Sequence, residues 1–306
     1  MNYKNKISIC LFVLIMLVGC RSKPYNKEIL KKKEIAPKSL QGLSKEIGSI
    51  MDHIGDIEKI DLGIDEEEKK EKNKEGDKSS QDQSSPDQSQ QSSGDQSSSE
   101  KDAGQASSTS TQGSSDESGK SQDQPTKKEI KDGKIETKWK EIDKGLETVY
   151  LLWNEYEVKG VKKGATAEKT EEVEDALNKL TKGIEDREIL TVYDQGSRSF
   201  KALKPFYDLY KDEIGGEVLS LKHMAYQYYI NAVKDSDNTA KMYIENSEED
   251  INKIRLKLQD KKDKKMKIDK VSFGFKNLSN ALTEDSRRLF ILKKDVLIKN
   301  LNSLEN

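Results

Sequence analysis

From Ser79 to Gln124, 27 of 46 residues are Ser or Gln, and no Leu, Ile, Val, Met or aromatic residue occurs. Such a tract cannot bury enough apolar surface to offset the entropy of ordering it. A single core running through the whole chain is therefore excluded, and any folding must happen on either side. The wider stretch 61–126 carries 7 positive and 16 negative charges and reads as a disordered acidic linker. Its Asp-Gln-Ser triplets at 82–84, 87–89 and 95–97 look like simple-repeat slippage. With about 60 residues its expected root-mean-square span is roughly 40–45 Å.

The first segment, 1–19, has the pattern of an export signal. Lys4 and Lys6 precede a 12-residue apolar run, Ile7 to Val18, too short for a membrane span. The run closes in Leu17-Val18-Gly19-Cys20, small residues before a cysteine, the spacing of a bacterial lipobox. Cleavage before Cys20 and acylation of its thiol are expected, making residue 20 the lipidation site and a membrane the first partner. Two or more acyl chains hold a soluble domain on a bilayer stably. The alternative is an ordinary secretory signal with a chance cysteine. Cys10 lies inside the signal, so the folded part has no thiol chemistry. Residues 20–38 then read as a basic tether, with Lys31-Lys32-Lys33 and prolines at 24 and 37.

Between tether and linker, Leu40, Leu43, Ile47, Ile50, Ile54 and Ile57 step by 3 and 4 in strict alternation. That predicts a short amphipathic heptad helix over 39–60, weakened by Gly42, Gly48 and Gly55. A stripe this narrow is not stable alone and must dock on the distal domain, a second copy or the membrane.

Residues 127–306 hold nearly all the remaining apolar residues and are almost charge-balanced, with 36 positive and 34 negative side chains. Only helical periods appear. Stripes run from Ile135 to Tyr156, Val173 to Ile184, Ile189 to Tyr210, Val218 to Ala232, Ala240 to Leu258, and Val271 to Val296 and on towards Leu301. Pro205 is expected to kink or break its helix, Gly215-Gly216 to stop it, and Asp237 to cap the next but one. No sustained period-two alternation occurs. The fold expected is all-α, a helical bundle of five or six amphipathic helices preceded by a long disordered linker.

Signals of chemistry are sparse. His53 and His223 are far apart and lie in no metal-ligand spacing, and no phosphate-loop, nucleophile-elbow or dinucleotide motif is present. Catalytic residues, a metal site, a cofactor and a small-molecule substrate are not expected; the chain does not read as an enzyme. Two features suggest a binding surface. Lys257, Lys261, Lys262, Lys264, Lys265, Lys267 and Lys270 stand against Asp260, Asp263 and Asp269, a local net charge of +4. Such a cluster concentrates polyanions, with a glycosaminoglycan the expected partner outside a cell and nucleic acid not expected; a solvated loop at a helix junction is the plainer account. Tyr207, Tyr210, Tyr226, Tyr228, Tyr229 and Tyr243 also concentrate in one third of the domain. Their helical spacing favours core packing over recognition.

The Lys-Asn-Lys start, the lipobox Leu17 to Cys20, the Lys/Ile/Asn-rich composition, the polar tether and the helical C-terminal domain together resemble the surface lipoproteins of Borrelia-type spirochaetes. That resemblance implies a palmitate-type anchor on Cys20, an outer-membrane and often cell-surface location, and a role as an antigen that binds a host protein such as a matrix component or a complement regulator. It carries over no particular ligand site. A periplasm-facing structural or assembly lipoprotein acting through helix–helix contacts is the second reading.

Overall fold

The computed structural model describes residues 35–64, 125–210, 214–284 and 286–305. Among these it is all-α, with eight helices: α1 Lys38–Asp61, α2 Lys127–Lys163, α3 Ala167–Glu185, α4 Ile189–Tyr207, α5 Gly215–Val233, α6 Asp237–Lys257, α7 Lys262–Ala281 and α8 Arg287–Glu305. The signal at 1–19, Cys20 and most of the tether and linker lie outside the described residues. The described residues fall into two compact units: 55–64 with 125–140 form one, and the others form the second.

In the smaller unit, the Lys131 ammonium meets Asp61 at 2.9 Å and Lys138 meets Asp56 at 3.2 Å. Ile57, Ile64 and Trp139 are its buried apolar side chains, and Glu58 is buried as well. Thr126 and Glu129 form a capping box: the Thr126 amide donates to Glu129 at 2.7 Å, and the Glu129 amide donates to the Thr126 hydroxyl at 3.3 Å. The Thr126 amide, together with the Thr126 hydroxyl that donates to the same carboxylate at 2.9 Å, holds the Glu129 carboxyl below its ordinary range.

In the larger unit, Leu40, Leu43, Ile47, Ile50 and Ile54 are all buried. Ser39 meets Lys159, Gly42 lies against Leu152, and Ile50 against Gly145, so this part of α1 runs antiparallel to α2. It also docks on α4. The Ser44 and Tyr207 hydroxyls lie 2.8 Å apart, and Met51 packs over Gly196. The heptad stripe thus finds its partner within the chain.

Successive helices from α3 to α8 pack on their neighbours, and α5 touches α4, α6 and α8. Its central place follows from its sequence: Val218, Leu219, Leu221, Ala225, Tyr226, Tyr228, Tyr229 and Ile230 are buried, apolar on more than one face. Aromatic rings fill the space around it. Tyr193 stacks on Tyr226 with ring centres 5.4 Å apart, and Tyr229 meets Phe290 at 5.2 Å. A second group joins Trp153 and Tyr156 to Phe206.

Three local expectations change. Gly215-Gly216 does not stop α4; it opens α5. A Cβ at Gly215 would stand 2.3 Å from the Tyr207 ring, so glycine is there for close packing. Asp237 is the first helical residue and Ser236 precedes it as cap. The run from Val271 towards Leu301 is two helices, α7 and α8, joined through 282–286, where the Ser286 hydroxyl accepts from the Leu289 amide at 3.2 Å. Pro205 sits inside α4, which ends two residues later at Tyr207. In the turn before α3, Gly164 has φ +110°, and Thr166 caps by accepting from the Lys169 amide.

Candidate functional site

The seven lysines separate into two groups. Lys257, at the end of α6, is bound to Glu217 of α5 at 2.7 Å. Glu217 is buried, so this ammonium neutralises a charge that would otherwise be stranded. Lys264 and Lys267, on the first turns of α7, donate to the carbonyls of Leu304 and Ser303 at 3.3 and 2.7 Å. Those carbonyls end α8, where a helix leaves acceptors unpaired and its dipole favours cations. These three lysines hold α6, α7 and α8 to their neighbours.

Lys261, Lys265 and Lys270 are exposed. The Lys262 side chain lies outside the described set. Lys276, one turn and a half further along α7, is exposed as well. Two apolar side chains share this outward surface: Met266 and Phe273, each 65% exposed. They lie seven residues apart, so they project from one face with Lys270 between them. The helix is held from behind, because Ile268, Val271, Phe275 and Leu278 are buried and Gly274 lies against Leu297. The spacing of Met266 and Phe273 was visible in the sequence. Their exposure was not, because nothing local distinguishes them from the buried Phe275.

The tyrosines are mostly interior. Tyr207, Tyr210, Tyr226, Tyr228 and Tyr229 are buried, and Tyr243 is half-buried. One of them takes part in an arrangement that sequence reasoning missed. Lys294 of α8 is 1% exposed. Its Nζ donates to the Tyr193 hydroxyl at 2.8 Å and sits 4.4 Å from the centre of the Tyr193 ring and 4.5 Å from that of Tyr229. Asp295 lies 3.5 Å away. An ammonium between two rings is stabilised by their negative faces. It joins α8 to both α4 and α5.

His223 belongs to a second buried polar group. Its Nδ1 donates to the Ser197 carbonyl at 3.0 Å, since a carbonyl oxygen only accepts. Gln227 donates to Asp194 at 2.6 Å and to the Ser197 hydroxyl at 2.8 Å. Arg198 pairs with Asp194 at 3.0 Å. Burial, and then the charge of nearby Lys201, pushes the His223 imidazole down to about 4. His223, Ser197 and Gln227 are buried while Arg198 closes the group from the exposed side; together they tie α4 to α5. His53, half-buried on α1, lies 3.3 Å from Glu141.

Among the described residues, no three His, Cys, Asp or Glu side chains gather closely enough to hold a metal ion. No helix there is long and apolar enough to cross a membrane. Fold and site together define a helical bundle in which the buried Glu217, Lys222 and Lys294 join helices and whose most distinctive exposed face is the lysine-bearing side of α7. No protein-family model, curated protein or solved structure matches the chain.

Proposed function

We propose that the chain is a lipid-anchored bacterial outer-membrane protein that displays its helical domain at the cell surface to bind a host macromolecule, without catalysis. The observation that carries this reading is Leu17-Val18-Gly19-Cys20 closing the apolar run behind Lys4 and Lys6. Acylated Cys20 would hold the chain on the bilayer. Because α1 belongs to the folded part, residues 21–37, and not the Ser/Gln-rich tract between α1 and α2, would set how far the domain stands from the bilayer. The resemblance to spirochaete surface lipoproteins supports the same location. Exposed lysines such as Lys261, just before α7, favour an anionic host partner, and a sulfated glycan is the class that lysines alone would select.

The second reading needs the heptad stripe of α1 for a foreign helix. Leu40, Leu43, Ile47, Ile50 and Ile54 are already buried within the chain, which favours display. Protease treatment of intact cells tests the choice. Loss of the protein while periplasmic markers survive is the expected result; full protection contradicts display.

A further inference from the structure

The outward face of α7 mixes two chemistries on a rigidly held helix. Met266 and Phe273 project about 10 Å apart along the axis, two turns of helix. Lys270 stands between them, with Lys265 and Lys276 alongside. Among the described residues these three ammonium groups have no partner in the chain, unlike Lys257, Lys264 and Lys267.

A sulfated glycan would engage the lysines and leave Phe273 and Met266 in water. A protein interface would use the phenylalanine and methionine, but lysine is depleted at such interfaces relative to other surface. A bilayer of anionic phospholipid accommodates both kinds of side chain. Apolar side chains enter the boundary between headgroups and acyl chains, while lysine stems lie along it and their ammonium groups reach the phosphates. The surface potential of such a bilayer attracts basic residues additively.

We propose that the outward face of α7 docks on an anionic phospholipid bilayer through Met266 and Phe273 flanked by Lys265, Lys270 and Lys276. This goes beyond anchoring at Cys20 and does not depend on it, because it is tested with acylation abolished. The mature chain from residue 21 onward, which lacks both the apolar run Ile7–Val18 and Cys20, is floated with vesicles of phosphatidylcholine alone or of phosphatidylcholine with phosphatidylserine. Binding to the anionic vesicles only is expected, weakening as salt rises. Changing Lys265, Lys270 and Lys276 together to Glu should lower the partition by about a hundredfold. The pair Met266→Ser and Phe273→Ser should lower it as well. Leu151→Ser, removing a side chain 71% exposed on α2, should leave it unchanged. All these positions are exposed, so thermal melts of the variants should match that of the parent.

Equal flotation with neutral vesicles overturns the proposal. So does binding that the Met266 and Phe273 changes leave intact, or that Leu151→Ser reduces as much. Heparin retention lost with the lysines but not with the apolar pair, without vesicle binding, assigns the face to a glycan instead.

Discussion

Two buried side chains set the residue-scale expectations. His223 is held near a pKa of about 4 by burial, whereas an unfolded imidazole titrates near 6.5. The unfolded chain therefore binds the extra proton first. Stability should fall as pH drops from about 6.5 towards 4, by up to about 3 kcal/mol from this group. Urea unfolding across that range, compared between the parent and His223→Gln, isolates it from the carboxylates: the difference between the two curves should carry this slope. Lys294 makes the other case. Lys294→Ala removes a buried side chain from between two rings and should destabilise by about 3 kcal/mol. Lys294→Met keeps most of the packing and should lose clearly less, as read from urea midpoints.

At the scale of elements, close approach between helices depends on particular glycines. Gly215→Ala would drive a methyl into the Tyr207 ring, which is pinned by Ser44 and the Leu40 carbonyl. A loss of about 2 kcal/mol is expected. Gly196→Ala meets the flexible Met51 thioether and gains helix propensity, so its net effect should stay within about 1 kcal/mol. Thermal unfolding of the two variants checks the contrast. These elements also show how far the sequence is legible. The stripe Leu40 to Ile57 announces α1 because its 3–4 spacing is uninterrupted and every member is buried. The stripes at Val173–Ile184 and Val218–Tyr228 mark α3 and α5 for the same reason. Boundaries fare worse. Gly215-Gly216 reads as a stop, because a glycine pair weakens a helix locally; its actual role depends on Tyr207, which only the fold brings near. The break between α7 and α8 is hidden because Leu278 and Leu282 carry the apolar pattern to the junction. The lysine cluster was legible as a charge run. Its division was not, since Glu217, Ser303 and Leu304 lie about 40 residues away from their lysines.

At the scale of the whole molecule, the account joins an acylated cysteine, a polar tract and a helical domain into one displayed protein. The tract, between α1 and α2, contributes no core, because its 46 residues contain none of the larger apolar side chains. The domain contributes the surface, because the buried Glu217, Lys222 and Lys294 are engaged in holding helices together. Everything about location rests on Cys20. The most direct measurement is mass spectrometry of the amino-terminal peptide of the protein recovered from native membranes. A chain that begins at Cys20 and carries a diacylglyceryl thioether and an amide-linked acyl chain is the expected result. An unmodified Cys20, or a chain that still begins at Met1, contradicts the account.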